Sequence, residues 1–235
     1  MKLTVLDSAN PRQPFPPLKN ALHEPNGLLA VGGCLSSERL INAYRHGVFP
    51  WFSGDEPILW WSPNPRLVLF PEKLVTSKRL AKTLRQNKFI VTFNQAFDSV
   101  IAKCAEVRAN AEGTWISDDI QRAYSQLHRE GVAHSVETWR DGELVGGLYG
   151  IALGKIFFGE SMFHTQTDAS KIAFTHCVKQ LQAWDFQLID CQVYSEHLVS
   201  LGAEEISRDA FSHLLTTHCA DFTPTNAWIC TQQTG

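Results

Sequence analysis

The segment 133-AHSVETWRDGELVGGLYGIALGKIFFGESMF-163 decides the fold. Ala133–Trp139 alternates with the period of two that marks a half-buried strand. Asp141-Gly142 follows, a dipeptide suited to a two-residue hairpin turn because such turns need positive φ. Glu143–Ala152 then runs back, and Gly154 turns the chain into Lys155–Phe163. Strands joined by turns this short pair antiparallel.

Upstream, Leu67–Phe70 reads as a short apolar strand, Phe89–Phe93 as another and Gln95–Glu106 as a helix. Thr76 is expected to cap a helix running to about Gln86. Ser117 is expected to cap a second amphipathic helix, with Asp118 and Asp119 in its first turn and Gly131 past its end. Downstream, Asp168–Trp184 places Ala169, Ala173, Cys177, Leu181 and Trp184 on one helical stripe. Gln187–Val193 follows as a strand and Asp209–His218 as the last clear helix. This order predicts an α+β domain around a mostly antiparallel sheet, compatible with an acetyltransferase-like (GNAT-type) fold.

The first 64 residues differ. They are rich in Pro, Gly and aromatics, with one helix expected from Ser37 to His46 between Ser36 as cap and Gly47 as stop. They read as a small, loop-rich module over 1–64, ahead of the acetyltransferase-like domain over 65–235.

A 235-residue chain with 44% hydrophobic and 19% charged residues has the make-up of a soluble globular protein. Met1–Asn10 has no apolar run and so no signal-peptide character. No stretch approaches the roughly 18 apolar residues of a membrane span. Six scattered cysteines without a C-x-x-C pair exclude a zinc ribbon or disulfide framework and fit a reducing, cytoplasmic setting.

The net charge of −3 speaks against a nucleic-acid partner only on average. Lys73, Lys78, Arg79, Lys82, Arg85 and Lys88 fall in one stretch without an acid; the rest of the chain holds 15 basic residues against 24 acidic. Lys78, Lys82 and Arg85 share a helical face by i, i+4, i+7 spacing. Such a basic face on an acidic body suits phosphate contacts, or is simply solvated.

Two places put acids among apolar residues. In Leu188-Ile189-Asp190-Cys191-Gln192-Val193 the period of a strand sets Asp190 and Gln192 on one face and Cys191 on the other. Buried carboxylates and amides need partners, from the backbone or from a substrate. Glu160, in Phe157-Phe158-Gly159-Glu160-Ser161-Met162-Phe163, is either in a cleft or paired. Cys191 with His197 as base would make a nucleophile, but the alternation turns Cys191 away and an inert thiol fits better. His213 and His218 with Cys219 lie on different helix faces, which disfavours a metal site. Gly146-Gly147-Leu148-Tyr149-Gly150 marks bulges or close approach, not a P-loop. The residues before the long helix, Thr165 to Ser170, lack the glycines of a CoA pyrophosphate loop. Trp51, Phe52, Trp60, Trp61 and Trp115 line a pocket, stack on bases or fill the core.

These motifs together resemble the bacterial leucyl/phenylalanyl-tRNA–protein transferase family over nearly the whole chain. The resemblance rests on Glu24-Pro25-Asn26-Gly27-Leu28-Leu29-Ala30, Gly47-Val48-Phe49-Pro50-Trp51-Phe52 and Trp60-Trp61-Ser62-Pro63. It continues through Gly113-Thr114-Trp115-Ile116, Ala133-His134-Ser135-Val136-Glu137, Leu144–Gly150 and Gly159–Phe163. Ala169-Ser170-Lys171 and Ile189–Val193 complete it. It implies an N-terminal module on an acetyltransferase-like domain, with Leu or Phe, and Met more weakly, carried on tRNA. The acceptor would be the N-terminus of a protein beginning with Arg or Lys, thereby marked for degradation. Asp190 and Gln192 would be the catalytic pair, with Glu160 a nearby acid. Trp51, Trp115, Leu148, Met162 and Ile189 would shape the donor pocket, and Lys78, Arg79, Lys82 and Arg85 would hold the tRNA. Ser195 stands where relatives tend to have Asn, and Leu148 where a relative has Met.

An aminoacyl ester is already activated, so no ATP, metal or other cofactor is expected. Asp190 would bind or deprotonate the acceptor amine while Gln192 orients the reacting groups. A monomer with no membrane partner is expected. The competing readings are an acyl-CoA-dependent N-acyltransferase and a non-catalytic tRNA-binding protein.

Overall fold

Pro65 stands between two sheets. The computed structural model describes residues 3–54, 56–109, 114–220 and 227–228; Gly113, named above, lies outside them. The N-terminal sheet holds β1 (Thr4–Leu6), β2 (Leu28–Gly32), β3 (Phe49–Pro50) and β4 (Leu59–Trp61) in the order β1-β2-β4-β3, with α1 (Ser37–Arg45) between β2 and β3. Strands this short, broken by Pro and Gly, leave no period to read.

The larger sheet begins at β5 (Arg66–Leu69). There follow α2 (Lys78–Arg85), β6 (Ile90–Phe93), α3 (Phe97–Ala109), α4 (Asp118–Arg129), β7 (Ala133–Arg140), β8 (Glu143–Leu153) and β9 (Ile156–His164). Next come α5 (Ala169–Ala183), β10 (Leu188–Gln192), α6 (Glu196–Val199), β11 (Glu204–Ile206) and α7 (Arg208–His218). The strand order is β11-β5-β10-β9-β8-β7-β6, antiparallel throughout except at the β10–β9 junction. This is the α+β, mostly antiparallel architecture that the meander predicts.

Serine caps set the helix starts: Ser36, Ser117 and Ser207 each accept the amide three residues on. At α2 the cap is Ser77, not Thr76; its Oγ accepts the Leu80 amide at 3.2 Å. Both residues can cap, and burial of Leu80 against α5's side of the sheet selects the later start.

Alternate strand residues feed two hydrophobic clusters. Val136, Leu148, Phe157 and Ile189 pack with Ile172, Ala173 and Phe174 of α5. Tyr149, Phe158 and Leu188 pack with α3, α4 and the N-terminal residues Leu40, Tyr44 and Trp60. One core therefore runs from the N-terminal sheet into the larger one. The glycines of β8 serve this packing: a Cβ on Gly146 would lie 2.6 Å from the Cβ of Ala169, and one on Gly150 2.2 Å from the Phe158 carbonyl oxygen. The close approach is by α5 and β9. Glu137 is likewise structural, accepting Thr92 Oγ1, Ser135 Oγ and the Ala96 amide at the start of α3.

The β9–β10 junction positions the site. Pairing runs only from Leu188–Ile156 to Asp190–Phe158. Just beyond, each strand carries a bulge. On β9 the partners of Tyr149 and Gly150 are Ser161 and Gly159, leaving Glu160 unopposed. On β10 the partners of Val68 and Leu67 are Asp190 and Gln192, leaving Cys191 unopposed. Bulges re-aim side chains and end pairing, and here they open the sheet.

Candidate active site

Glu160 is 8% exposed and accepts three side-chain hydrogen bonds. Tyr44 Oη on α1 donates to Oε1 at 2.7 Å, Gln192 Nε2 on β10 to Oε1 at 2.8 Å, and Tyr124 Oη on α4 to Oε2 at 3.0 Å. The two phenols also hydrogen-bond to each other. Burial raises the Glu160 carboxyl to about 7, and nearby Asp190 adds to the rise. The donors from Tyr44, Tyr124 and Gln192 pull it back. Burial also holds both phenols well above their ordinary value, so they stay donors. The result is a carboxyl poised to exchange a proton near neutrality.

Asp190 has different company. Arg66 Nε and Nη2 meet its two oxygens at 2.8 and 2.6 Å, with the Arg 1% and the Asp 0% exposed. Asp190 Oδ1 also accepts the Gln192 amide at 3.0 Å. This side-chain bond to the amide two residues on holds Gln192 at φ 65°, a conformation otherwise unfavourable for it. Arg66 lies over the rings of Phe49 and Phe211 and donates Nη1 to the Gly47 carbonyl at 3.3 Å. A chain of contacts thus runs from the N-terminal module through Arg66, Asp190 and the Gln192 backbone to the Gln192 amide on Glu160.

A cavity of about 370 Å³ opens in front of these groups. Trp51, Trp115, Leu148, Met162 and Ile189, the residues expected to shape a pocket, all line it, as do Glu160, Asp190 and Gln192. Phe157, Phe174 and Leu198 add apolar wall that the sequence reading did not single out. Trp51 is 44% exposed at the mouth, whereas Trp60 is fully buried in the core. Arg108 Nε donates to Ser161 Oγ at 3.0 Å on the same wall. Cys191 and His197 line the cavity too, but burial pushes the Cys191 thiol up, which leaves it a poor nucleophile.

Lys78, Arg79, Lys82 and Arg85 are exposed on α2 and do not line the cavity. Lys73 is paired with Glu204 at 2.6 Å. Sequence reasoning missed Arg66, Tyr44 and Tyr124. An Arg opening the apolar run Arg66-Leu67-Val68-Leu69 was the available signal, because a buried charge needs a partner. The tyrosines fall among the buried residues of α1 and α4, and nothing local in the sequence marks their phenolic groups.

A family model described as leucyl/phenylalanyl-tRNA protein transferase matches residues 68–216, and that of the family's N-terminal domain matches residues 33–64. The chain belongs to the leucyl/phenylalanyl-tRNA–protein transferase family. Within this family, the leucyl/phenylalanyl-tRNA–protein transferase of Methylococcus capsulatus is 56% identical over 226 residues, 96% of either chain. That of Pseudomonas fluorescens strain SBW25 is 59% identical over 215 residues, 92% of this chain and 95% of its own. Likeness to solved structures is slighter. L-PGS from Bacillus licheniformis has a TM-score of 0.41 at 7% identity, covering 57% of this chain and 49% of that one. A GCN5-related N-acetyltransferase from Kribbella flavida has a TM-score of 0.35 at 11% identity, covering 70% of this chain and 58% of its own.

Proposed function

We propose that this chain transfers Leu or Phe, and Met more weakly, from aminoacyl-tRNA to the N-terminal α-amine of proteins beginning with Arg or Lys. The product is thereby marked for degradation, in the cytoplasm, by an enzyme acting as a monomer. The observation that carries this reading is an apolar cavity ending on a carboxyl of raised proton affinity.

Leu148, Phe157, Met162, Phe174 and Ile189 suit an apolar side chain, aliphatic or aromatic. A pocket of this kind separates substrates by only about 1–3 kcal/mol per methylene, which accounts for weaker use of Met. The acceptor amine attacks the ester carbonyl, the carbon–oxygen bond to the ribose breaks, and the proton lost by nitrogen ends on the ribose oxygen. Glu160 is the group suited to take that proton, since the Asp190 carboxylate is committed to Arg66. Asp190 then acts by fixing Gln192, and Gln192 by orienting Glu160 and the reacting groups. The donor's own 2′-hydroxyl is placed to return the proton to the leaving oxygen. Lys78, Arg79, Lys82 and Arg85 contact phosphates of the tRNA acceptor stem.

The test is incubation of the purified protein with radiolabelled Leu-tRNA and a protein beginning with Arg, without ATP, metal or CoA. Label at the acceptor's N-terminus is expected. Salt-sensitive tRNA binding without transfer would leave a binding protein, and neither binding nor transfer would favour an acyl-CoA donor. Replacing Lys78, Lys82 and Arg85 together by Gln is expected to flatten the dependence of log affinity on log salt by about two to three. An unchanged slope would remove α2 from the interface.

A further inference from the structure

Between the cavity and the basic face of α2 lies a second group of basic side chains. Lys171 stands on α5 three residues before Phe174, which lines the cavity, so the two share a helix face. Lys171 is half-buried and makes no ion pair or hydrogen bond among the described residues. His197 on α6 lines the cavity itself. His164, exposed at the end of β9, has Nδ1 3.3 Å from Ser170 Oγ, next to Lys171. Lys171 and His164 each lie within electrostatic reach of His197, whose imidazole is lowered first by burial and further by these two. An anion placed among them favours their protonated forms.

The group also continues toward α2. Arg79 Nε lies 3.8 Å from Asp168 Oδ2, so the start of α2 abuts the start of α5, three residues from Lys171. Basic side chains therefore lead from Lys82 and Lys78, past Arg79, to Lys171 and His164, beside the cavity that His197 lines. We propose that Lys171, His164 and His197 bind the internucleotide phosphates of the donor's unpaired 3′ end, between the aminoacyl cavity and the stem held by α2. This rests on the aminoacyl-tRNA reading of the cavity. A single-stranded end needs contacts of this type because its backbone supplies most of the affinity and little of the specificity. Lysine, a point charge on a flexible stem, suits phosphates whose position is fixed by the neighbouring bases rather than by a bidentate fork.

Three donors carrying the same amino acid separate the possibilities: aminoacyl-adenosine, which has no phosphate; the aminoacylated trinucleotide CCA, which has internucleotide phosphates; and whole aminoacyl-tRNA. The readout is kcat/KM for the trinucleotide divided by that for aminoacyl-adenosine. In the K171Q/H164Q variant this ratio is expected to fall roughly tenfold at low salt, and the salt slope for the trinucleotide to lessen by about 0.7 for each phosphate no longer neutralised. K171R is expected to hold the ratio near that of the wild type. An unchanged ratio in K171Q/H164Q overturns the proposal, whether both donors suffer alike through damage to the cavity or neither does. Wild-type protein that transfers from none of the three donors would instead overturn the aminoacyl-tRNA reading itself.

Discussion

Glu160 and Asp190 stand on adjacent strands, each buried and each beside a bulge, yet their surroundings differ in kind. Asp190 meets a guanidinium in a two-pronged pair, and the Gln192 amide takes the remaining direction of Oδ1. Glu160 meets two phenols and an amide, all neutral. Burial among neutral donors favours proton uptake, because only the ionised form suffers from the loss of water. An acid in an apolar stretch is therefore not yet a catalytic acid or base. Its partner decides whether it holds the structure or exchanges a proton.

Replacing Glu160 by Gln should break the comparison most severely, since side-chain length is kept and the carboxylate proposed to take the proton is lost. Transfer is expected to fall about 10²–10⁴-fold. In the wild type kcat/KM should rise with pH through about 7, the limb being absent from the variant. Stability carries the opposite sign. The folded carboxyl titrates at about 7 and the unfolded one near 4.5, so the folded state binds the extra proton between them. Stability is thus greatest below the lower value and declines as pH rises toward the upper, by roughly 3 kcal/mol. Urea midpoints of E160Q and wild type should separate in favour of the variant between about pH 5 and pH 8. A difference that stays constant across that range contradicts the environment described for Glu160.

The Arg66 pair is the next test. R66M leaves Asp190 buried without a counter-charge and is expected to cost about 3–5 kcal/mol, read as a lower denaturation midpoint. Replacing both partners by apolar residues should recover much of that loss. D190N, assayed well below its melting temperature, should be slower because Gln192 is less well held, yet keep the pH limb, moved toward lower pH because the charge of Asp190 no longer adds to the rise of Glu160. If D190N abolished the limb and E160Q retained it, the proton acceptor would be Asp190 and the two acids would exchange roles.

The same contrast shows what a sequence can carry. The meander was legible because Asp141-Gly142 and the alternation around it are local, and α5 because its stripe repeats over four turns. Asp190, Gln192 and Glu160 stood out as polar residues in apolar strands. Their division of labour did not, for two physical reasons. A bulge shifts a strand's facing by one residue without leaving a mark in the period. And the partner that settles Asp190's role, Arg66, lies 124 residues away, its bond being specified by packing of β5 against β10. Tyr44 and Tyr124 were hidden similarly: at the positions of a helix stripe, Tyr is indistinguishable from any other core residue until the acid arrives from another strand.

The smallest effects concern those two phenols and sharpen the comparison furthest. Each donates to Glu160 and so holds its carboxyl lower than burial alone would. Y44F and Y124F should therefore move the limb of the pH–rate profile upward, by roughly a unit or less each, with Y44F the larger because its bond opposes the rise more strongly. At pH above the shifted limb the rate should return toward the wild-type value, since the base is intact. The two phenols also bond to each other, so removing one alters how the other donates. The shift in Y44F/Y124F should then differ from the sum of the single shifts, as it does for groups in one hydrogen-bond network. Strict additivity, or a shift toward acid in either variant, would mean that the phenols do not hold the ionised form of Glu160. Its proton affinity would then be set by burial, the nearby Asp190 and the Gln192 amide.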